Sequence, residues 1–185
     1  MVRNDFEPGP LAEVSREIGD GGATLFFRRA LPHPPEKVWR ALTQPKEQIE
    51  WMPFVSDRDI GAPGPFILRM TDREDAEESA AEVLKAEHAR LLQFTWGDDV
   101  LTWELEPEGT GTRLTLRHRT AMPEHIASFA AGWHICIDVM ARFLQNDPVG
   151  PIVGDAAMDF GWQDLHDAYA GILTSAIHGE PRTLS

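Results

Sequence analysis

The sequence predicts an α+β domain in which a curved antiparallel sheet wraps around one long helix near the C-terminal end. Two patterns carry that prediction. In VLTWELE (100–106), Leu101, Trp103 and Leu105 alternate with Thr102, Glu104 and Glu106; in TRLTLRHRT (112–120), Leu114, Leu116, His118 and Thr120 alternate with Arg113, Thr115, Arg117 and Arg119. Strict period-two alternation marks strands with one buried and one wet face, as in an antiparallel sheet. Residues 123–146 change period: Ile126, Phe129, Ala130, Trp133, Ile137, Met140 and Leu144 recur every three or four positions, the stripe of an amphipathic helix. A sheet with one wet face must cover the other, and this is the long apolar helix available to do so.

The elements follow in order. Residues 1–22 are polar and rich in Gly and Pro and read as a leader open to disorder. ATLFFRRAL (23–31) is rich in β-formers and makes the first strand. In PHPPEKVWRAL (32–42), Pro34 and Pro35 suit a first helical turn and Glu36 favours the helix N-terminal dipole, while Val38, Trp39 and Leu42 share a face. Pro45 stops that helix, and KEQIEWM (46–52) forms a second short one before Pro53. PFILRM (65–70) places Phe66, Leu68 and Met70 on one face, and RLLQFTW (90–96) does the same with Leu92, Phe94 and Trp96. Between them SAAEVLKAEHA (79–89) alternates weakly, so Glu82 could face either way, although a surface place is the better reading for both Glu82 and Glu104. WGDD and PEGTGT have the Gly/Asp chemistry of hairpin turns. After the long helix, the Gly/Pro loop NDPVGPIVGD leads to a last helix with Trp162, Leu165, Tyr169, Ile172 and Leu173 on one side. The organisation is a leader (1–22), a sheet-and-helix domain (23–146), a loop and extra helix packed on the same domain (147–177) and a tail (178–185).

Charge narrows the function. The net charge of −13 comes from 30 acidic against 17 basic residues, and so acidic a surface repels phosphate backbones and anionic membranes. No nucleic-acid or membrane partner is expected. A single cysteine cannot form an internal disulfide, and the N-terminal residues do not resemble a signal peptide, which together point to a cytoplasmic protein. The oligomeric state is not written in the sequence.

Three longer segments match a known pattern: LPHPPEKVWRALTQPKEQIEWM (31–52), FTWGDDVLTWELEPEGTGTRLTLRH (94–118) and AAGWHICIDVMARFL (130–144), with PVGPIVGDAAMDFGWQDLHDAY (148–169) resembling a tail found in many bacterial members. Over roughly residues 23–177 the chain resembles the START-like (Bet v 1-like, SRPBCC) helix-grip superfamily, in the branch named for the C-terminal domain of the heat-shock-protein-90 ATPase activator. The resemblance implies a helix-grip fold and brings no shared catalytic set with it.

The candidate chemistry is sparse. His134, Cys136 and Asp138 sit together on the long helix, but residues two apart on a helix point about 200° away from each other, so Cys136 shares no ligand with either neighbour. His134, Asp138 and Arg142 read as a solvated stripe four residues apart, with Cys136 a small buried thiol. The seven histidines (His33, His88, His118, His125, His134, His166 and His178) show no zinc-like spacing, and no metal or cofactor is expected. TDREDAEES (71–79) lacks the glycine and spacing of a calcium loop, and GPIVGD (150–155) lacks the Lys-Ser/Thr of a phosphate loop. No catalytic residue is assigned. His118 differs, because its alternation turns it toward the covered face, where it needs a partner.

What remains is a covered face written in large apolar side chains. The expected function is binding of a small hydrophobic or aromatic molecule in a cavity between sheet and helix, lined by Phe66, Leu68, Met70, Phe94, Trp96, Trp103, Leu116, His118, Phe129 and Trp133. Two other readings stand beside it: a polyketide cyclase or hydrolase using His118 with a cavity carboxylate, and a co-chaperone-like protein-interaction module.

Overall fold

The computed structural model describes residues 6–73 and 75–175. Eight antiparallel strands form one curled sheet: β1 (Glu13–Gly19), β2 (Gly22–Leu31), β3 (Phe54–Ser56), β4 (Gly64–Met70), β5 (Glu78–Glu87), β6 (Leu91–Trp96), β7 (Asp99–Glu108) and β8 (Gly111–Thr120). Their spatial order is β1-β2-β8-β7-β6-β5-β4-β3. The last six strands are a simple meander, since each is tied to the next by a short turn. Strand β2 instead pairs with β8, so the chain leaving β2 must cross to the far edge before β3 can begin. Helices α1 (Pro35–Thr43) and α2 (Pro45–Gln48) make that crossing. After β8 a 3-10 turn (Pro123–His125) leads into the long helix α3 (Ile126–Leu144), followed by a second 3-10 segment (Gly154–Phe160) and α4 (Trp162–Ser175). This is the helix-grip arrangement expected from the alternation.

The inward residues of the strands build the core as their spacing requires. Leu25 and Phe27 of β2, Leu92 and Phe94 of β6, Leu101 and Trp103 of β7, and Leu114, Leu116 and His118 of β8 are fully buried. Ala130, Trp133, Ile137 and Met140 of α3 face them, also buried. Glu82 is exposed, and Glu104 lies on the outer face paired with Arg117. The crossing connection is locked by a buried amide. Gln48 Nε2 donates to the Leu42 carbonyl at 2.9 Å, and its Oε1 accepts from Ser56 N at 2.8 Å and Ser56 Oγ at 2.7 Å. Trp51 adds an indole hydrogen bond to the Ala41 carbonyl at 3.0 Å. These bonds hold the short helices and β3 across one end of the sheet. At the β2–β8 seam the backbones come so close that a Cβ on Gly22 would lie 2.0 Å from the Thr120 carbonyl oxygen, and one on Gly111 would lie 2.2 Å from that of Leu31. Only glycine fits at either place.

Three features depart from the sequence expectations. The segment read as a leader contains β1, paired with β2 from Glu13↔Arg28 to Gly19↔Gly22. As an edge strand it has few apolar residues, and Ile18 is exposed, so period-two alternation gives it no signature. Residues 1–5 of the leader and the tail at 178–185 lie outside the described residues. In α4, Leu165, Tyr169 and Leu173 form the buried stripe at four-residue steps, while Ile172, one position off it, is 40% exposed.

The third departure is the largest. His134 is not solvated but fully buried, because α4 and the N-terminal segment cover the side of α3 that the sheet does not. Tyr169 Oη accepts the Ala12 N–H at 2.9 Å and lies 2.7 Å from His134 Nδ1, to which it donates. His134 Nε2 lies 3.0 Å from Asp138. Asp138 also accepts the Gly9 N–H at 2.7 Å and pairs with Arg29 at 3.1 Å, and Arg29 reaches the Pro10 carbonyl at 2.9 Å. Burial pushes the Tyr169 hydroxyl up to about 12, so it acts as a neutral donor and acceptor. The same double coverage explains the composition of α3. The stretch Pro123–Leu144 is long and apolar enough to cross a bilayer, with a mean hydropathy of 1.2, but here it is the central helix of the domain, apolar because it is packed from two sides.

Tyr169→Phe leaves the Ala12 N–H and His134 Nδ1 without their partner and is expected to cost about 1–3 kcal/mol. Ile172→Ala, at an exposed position on the same helix, should stay within about 0.5 kcal/mol of wild type. Urea melts of the two variants separate them; equal losses would contradict the buried polar cluster.

Candidate ligand-binding site

The site begins at the β6–β7 hairpin, where Trp96 and Asp99 pair across a tight turn. Alternation along β7 and β8 sets Leu101 opposite His118 and turns both inward. His118 Nε2 lies 2.7 Å from Asp99 Oδ2, and Trp133 Nε1 donates to His118 Nδ1 at 3.0 Å. An indole N–H can only donate, so Nδ1 must be the acceptor and the proton of the neutral ring sits on Nε2, pointing at Asp99. Burial lowers the pKa of His118, and the hydrogen bond and charge of Asp99 oppose that shift only in part. Phe129 covers the ring at 4.2 Å between centroids, with Trp96 at 5.9 Å.

In front of this wall lies a cavity of about 320 Å³. Trp96, Phe129 and Trp133 form one side, and Trp162 at the start of α4 contributes a fourth ring. Ser128, Gly132 and Cys136, one helical turn apart on α3, form the floor, and Ile152, Val153, Asp155 and Met158 from the segment after α3 close over it. A Cβ on Gly132 would meet nothing within 4 Å. Glycine in mid-helix costs roughly 1 kcal/mol relative to alanine, and here the missing side chain opens space that no neighbour fills. Burial pushes the Cys136 thiol up to about 12, so it is a neutral apolar surface and no nucleophile.

The ten residues expected to line a cavity are divided by the structure. Trp96, Phe129 and Trp133 line it, and His118 stands directly behind them. Phe66, Leu68, Phe94, Trp103 and Leu116 are buried in closed packing. Phe94 is flanked by Phe54 at 5.8 Å and Phe66 at 6.0 Å, and Trp103 by Trp133 at 5.2 Å and Trp51 at 5.9 Å. Met70 lies at the edge of a separate cleft with Arg69 and Arg73. The inner face of the sheet is packed by Trp51 at the end of the crossing connection, against Trp103, and by Phe54 at the start of β3, against Phe94 and Trp96. The cavity therefore sits on the flank of α3. Sequence reasoning missed Ser128, Gly132, Asp155, Met158 and Trp162; the available signal was a glycine inside the most apolar helix, facing a loop rich in Gly and Pro.

The His118–Asp99 pair has the outline of a general base, but the lone pair that would take a proton is occupied by the Trp133 N–H and the ring is fully buried. Among the described residues no three His, Cys, Asp or Glu side chains converge as a metal site would require.

A sequence model for the family described as activator of Hsp90 ATPase homolog 1-like protein matches residues 32–145, well over half of the chain. The chain belongs to this family. The match runs from the start of the crossing connection to the end of α3 and so spans the core of the site. Solved structures share the fold. CalU16 from Micromonospora echinospora superposes with a TM-score of 0.64 at 20% identity, covering 87% of this chain and 96% of that one. A conserved protein of unknown function from Enterococcus faecalis, EF2215, gives a TM-score of 0.66 at 18% identity over 88% and 91%. MLL2253 from Mesorhizobium loti, at 27% identity and a TM-score of 0.57, covers 68% of this chain and 99% of its own. No curated protein matches the chain.

The buried imidazole makes the fold of this family member sensitive to acid. Burial lowers His118 below the ordinary imidazole value of 6.5, and burial followed by the Lys37 charge lowers His33. As pH falls through that value the unfolded chain takes up protons that the folded chain refuses, so stability is full above it and declines below. Between about pH 7.5 and about 5.5, His118→Gln should lose less stability than wild type, with His33 keeping part of the slope. Urea melts at the two pH values check this; parallel losses would show that His118 does not contribute.

Proposed function

We propose that this protein binds a small apolar or aromatic molecule in the cavity on the flank of α3. The observation that carries the reading is Gly132, a mid-helix glycine that leaves open space beside three tryptophans and a phenylalanine where a larger side chain would project. Membership of the family supports a helix-grip binding protein in general, and the lining supports the apolar class of ligand. With His118 committed on both ring nitrogens, its role is to hold the Trp133 indole in place as a wall, which favours binding over cyclase or hydrolase chemistry. The unpaired, buried Cys136 is in keeping with the cytoplasmic location expected from the sequence. Burying ~200 Å² of apolar ligand surface at ~25 cal/mol/Å² is worth about 5 kcal/mol before association costs, which on this term alone sets the scale at hundreds of micromolar or weaker.

Tryptophan fluorescence with an environment-sensitive apolar dye tests the proposal. Wild type should bind the dye with saturation. Gly132→Leu, which gains helix propensity and meets no clash at its Cβ, should fold at least as stably and lose most of the binding. Equal binding by the filled variant would place the dye elsewhere and end this reading.

A further inference from the structure

We propose that the ligand is an organic cation, a quaternary or protonated amine carrying an apolar or aromatic part; this rests on reading the cavity as a ligand site. Three of the chain's six tryptophans, Trp96, Trp133 and Trp162, line the cavity together with Phe129. Ring faces carry the negative part of the aromatic quadrupole and attract a desolvated cation, tryptophan most of all. Trp133 has spent its N–H on His118, so it presents the cavity with a ring and no hydrogen-bond donor. Asp155 supplies the formal charge. Among the lining residues it is the charged one, no Lys, Arg or His joins it there, and its exposed carboxylate has no hydrogen-bond or ion-pair partner among the described residues.

The alternatives fit less well. An anionic ligand would sit among four aromatic rings and an unneutralised carboxylate, on a chain whose net charge of −13 already repels it. A neutral hydrocarbon would suit the rings but leave Asp155 without a role. Arg69 and Arg73 line a separate cleft with Pro151, the residue before Ile152 of the cavity wall, and do not line the cavity itself. Four aromatic rings and one exposed, unpaired carboxylate in a single lining favour a cation with its charge close to its apolar part.

The test is an isosteric series titrated calorimetrically into the full chain: 4-(trimethylammonio)phenol, its neutral counterpart 4-tert-butylphenol, and 4-hydroxybenzenesulfonate. Replacing the quaternary nitrogen with carbon changes charge at nearly constant shape. The cation is expected to bind about tenfold tighter than the tert-butyl compound, with the sulfonate weakest. Asp155→Asn should remove several-fold of the cation's affinity and leave that of 4-tert-butylphenol unchanged. If 4-tert-butylphenol binds as tightly as the cation, or Asp155→Asn weakens both alike, the preference for a cation is overturned while the cavity stands as an apolar site. If none of the three binds wild type, or all bind Gly132→Leu equally, the cavity is not a ligand site and both proposals fall.

Discussion

The hydrogen bond from Trp133 to His118 is the point on which the site depends. It joins the long helix to the last strand of the sheet through two side chains that neither element could leave unpaired once buried. It fixes the tautomer of His118, which in turn directs the remaining ring proton at Asp99 in the hairpin. With its N–H held, the Trp133 ring stands edge-on to Trp103 on the core side and presents a cavity wall on the other. One bond thus ties helix to sheet, sets the tautomer of the buried histidine and holds one wall of the cavity.

The second constraint is that α3 is covered twice. The sheet takes one side; α4 and the N-terminal segment take another, over the cluster formed by His134, Tyr169, Asp138 and Arg29. An acid, a base and a phenol can be buried together there because the Tyr169 hydroxyl, the His134 ring and the Asp138 carboxylate pair with one another, and the N-terminal segment supplies the Gly9 and Ala12 N–H groups. The cavity occupies the remaining flank, where the segment after α3 bridges from helix end to α4 without filling the space over Gly132. Coverage of the helix by sheet, α4 and the N-terminal segment is what leaves the space over Gly132 on this flank.

The strands with period-two alternation were legible in the sequence, as was the apolar stripe of α3, because each pattern reports a local geometry repeated many times. The inward turn of His118 and the outward turn of Glu104 followed from the same alternation, whereas the weakly alternating strand around Glu82 left only the general preference of a carboxylate for the surface. His134 was not legible: four-residue spacing with Asp138 looks the same on a wet face as on one buried by α4, and the covering residues are 35 positions later and more than 100 earlier. The aromatic character of the site was readable from Trp96, Phe129 and Trp133. Its place was not, since Trp51 and Phe54, which pack onto the aromatic side chains of the sheet, lie where the crossing connection enters β3, and that path depends on the whole topology.

The pairing of β2 with β8 also bears on how the chain reaches this state. Leu31 pairs with Thr112, about 80 residues later, and Ala23 with Thr120 still further on. Closing a loop of that size must precede any gain from the seam, so folding is slow relative to a helical bundle of the same length. During synthesis β2 waits with its β8 edge unpaired while the meander emerges, and its Leu25 and Phe27 find their cover only when β8 and α3 have left the ribosome. Nascent chains are exposed to aggregation through β2 for most of their synthesis, and β1, polar and already hairpinned to one edge of it, is the element available to shield that strand until its partner arrives.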